Sequence, residues 1–338
     1  MNQRNLQASP NARARFALHP TARTFGALLV AASAGLALAG CDDDPVDAQP
    51  CVGDACDPVE PCEADDSCDP VEPCEGEGCS ADPVSVTLEF VGMVGDQLLV
   101  AGDTYTGIGT GEDSELIIHD ARFYISGIEL ANADGVYVAL ELDDSAWHHD
   151  GVALVDLTDS DVGSGSVQVN TTVSGTLPPG IYSGVRFVLG VPFEHNHTDT
   201  AAAPSPLNVT AMAWNWRGGR KFVRLDGVNG HGMNVMLHLG STDCAGEIDD
   251  ITGCSRPNRG VVALPTYNPE QHVIALDVAR VYVNSDIDFN TPETPALCMS
   301  GANDPECGPI FEALGIDFVS GVPGETQQSV FRLVERDE

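Results

Sequence analysis

Positive charge is scarce in this chain. Its 338 residues include 15 Lys and Arg against 51 Asp and Glu, which gives a formal net charge of −36. So large an excess of negative charge repels the phosphate groups of nucleic acids and of anionic lipids. The composition therefore excludes nucleic-acid binding and makes small cations the natural partners of the surface.

The chain also lacks the motifs of common catalytic sites. It contains no HExxH zinc motif, no CxxCH haem-attachment motif and no GxSxG nucleophile elbow. The glycine-rich stretch GIGTGEDS is not followed by the Lys-Ser/Thr pair of a phosphate-binding P-loop. The sequence thus offers no visible machinery for hydrolysis. A redox enzyme that uses a bound metal would need an open coordination position and a substrate pocket, and the sequence shows neither, so we expect that the protein is not an enzyme.

The apolar run near the N-terminus is too short to span a bilayer. This run, FGALLVAASAGLALAG, follows four arginines and is itself followed by Cys41. Such a pattern is typical of an export signal. The sequence LAGC at its end resembles a bacterial lipobox, which implies cleavage before Cys41 and lipid attachment to its sulfur. Residues 1–41 are thus predicted to be a lipoprotein signal, and the mature protein is predicted to be a periplasmic or cell-surface protein anchored through its N-terminal lipid.

Large apolar residues and basic residues are nearly missing from residues 42–83. This segment carries fifteen acidic residues and repeats the sequence DPVEPCE. It cannot bury enough apolar surface to offset its chain entropy, so we predict a disordered, extended tether. Its six cysteines form either local disulfides or a metal-capturing tail; they are Cys51, Cys56, Cys62, Cys68, Cys74 and Cys79.

Residues 84–338 show no long helical pattern. Apolar residues there alternate with polar ones or are β-branched, which is typical of strands. The predicted strands cover residues 85–90, 121–130, 135–142, 166–175, 184–190, 234–240 and 272–283. The pattern predicts one all-β domain, an antiparallel β-sandwich or barrel-like fold, with a short helix near residues 308–314.

Three long loops interrupt the predicted strands, near residues 191–207, 241–258 and 284–309. Two of them contain the four cysteines of this domain: Cys244, Cys254, Cys298 and Cys307. An even number of cysteines in an exported chain predicts two disulfides, most simply between the two cysteines of each loop. Other pairings and a four-thiolate metal site remain open at this stage.

Several metal-binding side chains fall in or beside these loops. His195 and His197 are two residues apart, and His238 lies on a predicted strand. Imidazole suits copper, zinc and iron, whereas the thioethers of Met236 and Met299 favour Cu(I). For any single histidine, the alternative to metal binding is that its side chain is simply solvated.

A second metal site is suggested by the sequence NSDIDFN. It places Asp286, Asp288 and Asn290 at alternate positions, as in a calcium-binding loop. The glycine and terminal glutamate of an EF-hand are missing, so the prediction is limited to a structural calcium ion near Asp286 and Asp288.

Tryptophan is rare, and two of the three tryptophans lie one residue apart, in AMAWNWRGGRKF. Several other strings accompany this one in order: ARFYISGIEL, VPFEHNHTD, HLGSTDC, CSRPNR and DIDFNTPETPALCMSGANDPECGPIFEALGI. Together, from about residue 85 to about residue 334, they resemble the MbnP-like family of exported copper-binding proteins. This family has a four-cysteine motif and is also called the metallo-mystery pair.

The resemblance implies a role in copper homeostasis. Members bind a single Cu(I) and are partnered with a dihaem enzyme of the cytochrome c peroxidase or MauG type, called MbnH, which oxidises the first Trp of a WxW motif to kynurenine. Here that residue is Trp214. Trp216, two residues on, would share its strand face, and we infer that it packs beside Trp214 or relays an electron to the haem enzyme. The family motifs imply His197 and His238 as copper ligands, with Met299 as a reserve soft ligand.

Two further points come from the same resemblance. Asp199, in the motif NHxD, is expected to orient the neighbouring imidazole from outside the ligand shell. The chain departs from the family pattern at Ala101, where a cysteine is expected, and this puts one local cross-link in doubt. Without the family motifs, a structural or adhesive surface sandwich on a cysteine-rich stalk is the alternative function.

Overall fold

A computed structural model describes residues 82–111, 113–158, 169–214, 217–248 and 250–336. The predicted signal, nearly all of the predicted tether with its six cysteines, and the lipidation site at Cys41 lie outside these residues and stay predictions. Within the described part, no helix has the length and apolarity that a membrane span requires.

The described chain is built mainly from strands, as the alternating sequence pattern predicts. In chain order they are β1 (Val84–Val94), β2 (Gln97–Leu98), β3 (Thr104–Thr106), β4 (Glu115–Asn132), β5 (Tyr137–Ala139), β6 (Glu141–Leu142), β7 (His148–His149), β8 (Val152–Asp156), β9 (Thr172–Leu177), β10 (Tyr182–Leu189), β11 (Val223–Asn229), β12 (Asn234–Leu239), β13 (Thr242–Glu247), β14 (Asp250–Arg256), β15 (Val261–Leu264), β16 (His272–Asp277) and β17 (Phe331–Glu335). The helices are short: α1 (Phe193–Asn196), α2 (Val278–Val281), α3 (Cys307–Ala313) and a 3₁₀ turn over Thr210–Met212.

Two large sheets and one hairpin contain these strands. The first sheet has the order β17-β16-β1-β9-β6, with β2 also paired to β1. The second has the order β12-β11-β4-β10-β15, with β3, β5 and β8 also paired to β4, and β7 paired to β8. β13 and β14 form the separate hairpin. The named strands that the structure describes pair antiparallel, except that β1 and β16 run parallel.

The core lies between the two sheets. Phe90 of β1 has its ring centroid 5.7 Å from Phe123 of β4 and 6.1 Å from Phe187 of β10. Phe331 of β17 lies 5.3 Å from Phe123 and 5.5 Å from Phe187. These edge-on contacts join the inner faces of both sheets, so the predicted all-β sandwich is confirmed.

The long strand β4 is buried on both of its faces along residues 120–126. Because side chains alternate along a strand, Phe123 points into the sandwich core and Arg122 points to the outer face. Loops cover this outer face; for example, the Tyr124 hydroxyl donates a hydrogen bond to the Pro206 carbonyl at 2.7 Å. The strand register aligns four charged or polar residues there in one row: Asp156, Arg122, Arg224 and His238.

The predicted strand over residues 272–283 is wrong beyond Asp277. The chain turns there into α2, because the Asp277 side chain accepts a hydrogen bond from the backbone amide of Ala279 at 3.2 Å and caps the helix. The predicted helix near 308–314 is confirmed as α3. The predicted loop over 241–258 contains the β13–β14 hairpin.

Candidate metal centre

Trp214 lies in a tight loop that follows the 3₁₀ turn. Ala213 forms an isolated bridge with Arg220, and the backbone amide of Trp214 donates to the Gly219 carbonyl at 2.8 Å. The indole ring packs on Gly240, where an added Cβ would lie 2.7 Å from Cζ3 of Trp214. The missing side chain at Gly240 therefore provides the space that the ring occupies.

Gly219 and Arg220 connect this loop to the segment that carries His197. Gly219 has φ +73°, and a Cβ there would lie 2.5 Å from the Asn196 carbonyl oxygen, so glycine is required. The backbone amide of Arg220 donates to Asn196 Oδ1 at 2.9 Å. The buried Arg220 guanidinium donates to the carbonyls of Leu207 and Asn196 and to Thr198 Oγ1. Arg220 thus holds three chain segments together.

His197 follows α1 and is half-buried against the β13–β14 hairpin. Its Nε2 lies 3.1 Å from Nδ2 of Asn196, which donates the hydrogen bond, and 3.4 Å from Sγ of Cys254. The Nδ2 group of Asn196 also donates to Ser241 Oγ at 3.5 Å. His197, Cys244 and Cys254 place their ligand atoms within 4.8 Å of one another. Among the residues that the structure describes, these three form the cluster of His, Cys, Asp or Glu side chains that is compact enough to hold a metal.

The sulfurs in that group belong to a disulfide. The structure pairs Cys244 with Cys254 and Cys298 with Cys307, which confirms the simplest of the predicted pairings. A disulfide sulfur carries no thiolate charge and is a poor metal ligand. The four-thiolate site considered above is therefore not formed in this structure, and imidazole is the donor that this group offers.

His238 lies on β12 and is 8% exposed. Its Nε2 group lies 2.7 Å from Oδ1 of Asp226 on β11, to which it donates a hydrogen bond. Its backbone amide donates to the Cys298 carbonyl, and its own carbonyl accepts from Ser300 Oγ, each at 3.0 Å. His238 is therefore hydrogen-bonded to Cys298 and Ser300, the two residues that flank Met299.

Asp226 was not predicted from the sequence. Burial raises the pKa of its carboxyl group, but the hydrogen bond and charge of His238 and the charge of Arg224 outweigh burial and lower that pKa below its ordinary value. Arg224 forms an ion pair with Asp226 at 2.7 Å. The sequence does place residues 224 and 226 two apart, and therefore on the same face of a strand. The contact of Asp226 with His238, however, depends on the register between β11 and β12, which the sequence does not show.

Trp214 and Met299 line the same open cavity, whose volume is about 480 Å³. Ser241, Thr242 and Cys244 form another part of its wall. Cys244 is bonded to Cys254, and Sγ of Cys254 lies 3.4 Å from Nε2 of His197. The wall of the cavity is therefore next to His197. His238 lies on β12, two residues before Gly240, and is not among the residues that line this cavity.

The structure thus places Trp214 and Met299 on one cavity, His197 beside the Cys244–Cys254 disulfide, and His238 on β12 beside Asp226. That these four residues share one metal stays a prediction. The set contains two imidazoles, one thioether and one indole. An indole in its ordinary form offers only an N–H donor and a π face to a metal. Two imidazoles and a thioether suit copper, and the thioether favours Cu(I).

The supporting roles predicted for Asp199 and Trp216 stay predictions. Asp199 is exposed, and its Oδ1 accepts a hydrogen bond from the Ala201 backbone amide at 3.0 Å. Asn196, which was not predicted, contacts Nε2 of His197 instead. Trp216 lies outside the described residues, so its predicted role stays a prediction.

The calcium site predicted near Asp286 and Asp288 also stays a prediction. Asp286 is exposed, and its Oδ1 accepts from the Asp288 backbone amide at 3.0 Å. Oδ1 of Asp288 accepts from Asn229 Nδ2 at 2.8 Å. These carboxylates therefore already have hydrogen-bond donors in the protein.

Comparisons with known proteins agree with this architecture. Residues 83–300 match the family model described as MbnP. The structure is similar to that of MbnP from Methylosinus trichosporium, with a TM-score of 0.67 and 27% sequence identity. The similarity covers 76% of this chain and 100% of that chain. A comparison with curated proteins gives no match.

Proposed function

Because the chain belongs to the MbnP family, we propose that it is an exported copper-binding protein that holds one Cu(I). The proposed ligands are His197, His238 and a kynurenine formed from Trp214, with Met299 as a further soft ligand. The observation that carries the proposal is the cavity that Trp214 and Met299 line together, whose wall includes Cys244, the disulfide residue beside His197.

The donor chemistry supports copper over other cations. Calcium and magnesium require oxygen ligands, whereas the proposed set is built from imidazole nitrogen and thioether sulfur. Zinc is commonly bound by histidine, but it seldom uses methionine. The acidic protein around the site favours any cation through its overall field.

Conversion of Trp214 explains why an indole occupies the wall of a metal site. Opening the indole ring gives an aryl amine and a ketone, and both can approach a metal. The ring is half-buried and lines an open cavity, so an oxidising partner and a metal have access to it. Its neighbours Gly240 and Gly219 leave room for the ring and fix its backbone.

The proposed partner is a dihaem enzyme of the cytochrome c peroxidase or MauG type that carries out this oxidation. The protein itself is proposed to have no enzymatic activity and to serve copper homeostasis. Its two disulfides support an extracytoplasmic location, because disulfides persist in oxidising compartments. Lipid attachment at Cys41 is part of the same proposal.

The Trp214→Phe variant tests this function directly. It keeps an aromatic ring on Gly240 but cannot form kynurenine. Purified after co-expression with the dihaem partner, it is expected to retain far less than one copper per chain by elemental analysis. Trp147→Phe is the matched control, because Trp147 packs at the edge of the core and is expected to leave copper content unchanged. A full equivalent of copper in the Trp214→Phe variant would contradict the proposed ligand set.

A further inference from the structure

The Cys244–Cys254 disulfide lies against the imidazole of His197. Sγ of Cys254 is 3.4 Å from Nε2 of His197, and the ligand atoms of all three residues lie within 4.8 Å of one another. A tetrahedral metal that is about 2.3 Å from a sulfur and about 2.0 Å from a nitrogen holds these two ligands about 3.5 Å apart. The imidazole nitrogen and the nearer sulfur therefore already have the separation of two ligands of one metal.

The ring nitrogen of His197 that faces the sulfurs carries a lone pair. Nδ2 of Asn196 donates a hydrogen bond to Nε2 of His197 at 3.1 Å, so Nε2 is the acceptor of the neutral ring and the proton is on Nδ1. A histidine binds a metal through the unprotonated nitrogen of its neutral ring. The contact with Asn196 thus selects the tautomer that can bind a metal on the side of the disulfide.

The hairpin holds the two cysteines together independently of their disulfide. Cys244 and Cys254 are directly opposite each other in β13 and β14, with further pairs of the ladder on both sides. At the base of the hairpin, the guanidinium of the buried Arg256 donates to the carbonyls of Ser300 and Phe318, at 3.1 and 2.6 Å. Reduction is therefore expected to leave the hairpin in place while the sulfurs separate to the roughly 3.8 Å that two thiolates on a tetrahedral metal require.

Both cysteines are accessible from solvent. Cys244 lines the open cavity of about 480 Å³ that Trp214 and Met299 also line. Cys254 is half-buried. Thiol–disulfide exchange requires access to a disulfide sulfur, and accessible disulfides are the ones that reductants attack. The cavity therefore gives a route for both a reductant and a metal ion.

We propose that reduction of the Cys244–Cys254 disulfide creates a metal site in which the two thiolates and Nε2 of His197 bind a thiophilic cation of the zinc and Cu(I) class. A dithiol reductant supplies two electrons and two protons, and is itself oxidised to a disulfide, while the protein S–S bond becomes two thiols. Metal binding then releases the two thiol protons. Thiolate and imidazole are the ligands that zinc takes, and Cu(I) also prefers thiolates.

This site differs in chemistry from the proposed copper centre. It needs neither kynurenine nor a dihaem partner, because its ligands are unmodified cysteine and histidine side chains. Both sites use His197, so filling one is expected to weaken the other. Only this last consequence rests on the proposed function.

Titration with Co²⁺ tests the proposal, because Co²⁺ substitutes for zinc and absorbs light. The full-length chain is made without the partner enzyme and with serine at Cys41 and at the six tether cysteines, whose thiols would otherwise bind the probe. It is titrated before and after reduction by a phosphine, which is removed under nitrogen. We expect one Co²⁺ per chain in the reduced form, with sulfur-to-cobalt charge-transfer absorption and the visible bands of a tetrahedral ion. The oxidised form is expected to show neither.

Three variants in the same background locate the site. Cys254→Ser is expected to lose the charge-transfer absorption. His197→Gln keeps both thiols and is expected to weaken Co²⁺ binding at least about tenfold, since even the loss of a group that only orients a ligand typically costs this much. His195→Gln is the matched control, because His195 pairs with Asp150 and is expected to leave Co²⁺ binding unchanged.

Several results would overturn the proposal. They are the same cobalt spectrum in the oxidised and reduced proteins, unchanged binding in either ligand variant, and a disulfide that the phosphine does not reduce in the folded protein. His197→Gln retains the native cysteines, so it keeps the test valid if Cys254→Ser fails to fold. Trp214 is unconverted in this preparation, so the outcome does not depend on the proposed copper centre and the two proposals can fail separately.

Discussion

Oδ1 of Asp226 accepts a hydrogen bond from Nε2 of His238 at 2.7 Å, across the neighbouring strands β11 and β12. This contact occupies one ring nitrogen and leaves Nδ1 as the nitrogen whose lone pair can reach a metal. A carboxylate in this position fixes the tautomer and the orientation of the imidazole. If His238 binds copper as proposed, Asp226 is the carboxylate that orients it. The role predicted for Asp199 beside His197 stays a prediction.

The Asp226→Asn variant is expected to bind copper about 10- to 100-fold more weakly, as is typical when a carboxylate behind a ligating histidine is lost. The amide keeps the size of the side chain but loses the charge that holds Nε2–H. Competition with a chromophoric Cu(I) chelator measures the affinity. Glu129→Gln is the control, because it removes a carboxylate that pairs with Arg186 near the C-terminal end of β4, away from His238. Unchanged Cu(I) affinity in Asp226→Asn would show that His238 is not a ligand or is oriented by other contacts.

The Gly240→Ala variant is expected to displace the ring at position 214. The added methyl group would lie 2.7 Å from Cζ3 of Trp214 and 2.9 Å from the carbonyl oxygen of Arg220, so the ring must move. We expect lower copper retention and a loss of stability of about 1–3 kcal/mol, which is typical of overpacking. Gly253→Ala in β14 is the matched control, since a Cβ there has no heavy atom within 4 Å. Equal copper retention in the two variants would show that the position of the ring does not matter for the site.

The Arg220→Lys variant tests how the loop that carries His197 is held. Lysine keeps the charge but cannot make the same set of hydrogen bonds, so buried carbonyls of Leu207 and Asn196 lose donors. We expect the free energy of unfolding to fall by about 1–3 kcal/mol, with a parallel loss of copper affinity. Denaturant unfolding and the chelator competition measure the two effects. Arg280→Lys, at a half-exposed arginine on α2, is expected to change neither.

The buried ion pair of Arg122 and Asp156 predicts that the stability of the fold depends on pH. Burial raises the pKa of Asp156 to about 6, although Arg122, with Nε 2.9 Å from Oδ2, acts in the opposite direction. Because this pKa lies above the value of about 4 for an aspartate in the unfolded chain, the folded state binds more protons than the unfolded state between about pH 4 and pH 6. The contribution of Asp156 to stability is therefore full below about pH 4 and is lost as the pH rises through about 6.

The Asp156→Asn variant should accordingly flatten the dependence of the free energy of unfolding on pH between about pH 4 and pH 6. Urea unfolding at a series of pH values measures this slope. Asp96→Asn removes one charge from an exposed position and is expected to keep the wild-type slope. If the two variants have the same slope, Asp156 does not titrate in this range.

Local sequence patterns predicted the sandwich well where strands alternate or are rich in β-branched residues, as in β1, β10 and β12. They failed at Asp277, because a run of β-branched residues continues past it and the helix cap depends on a single side-chain hydrogen bond. The hairpin over residues 242–256 was also missed, since its glycines and polar residues are typical of loops. Neither the helix that begins after Asp277 nor the hairpin shows the regular spacing of apolar residues from which helices and strands are predicted.

The predicted ligand residues came from motifs, whereas the residues that support them came from the tertiary structure. Asp226 contacts His238 only through strand register, and Asn196 contacts His197 because Arg220 holds its backbone. Contacts that join distant segments therefore account for most of what the sequence did not predict.

The measurement that tests the central claim most directly is mass spectrometry of the protein purified from its own host, intact and after trypsin, together with its copper content. Conversion of Trp214 to kynurenine replaces one carbon by one oxygen and adds about 4 Da to the peptide that contains it. We predict this increase together with one copper per chain. An unmodified Trp214 and no copper, in cells that express the haem-loaded partner, would contradict the proposed copper centre.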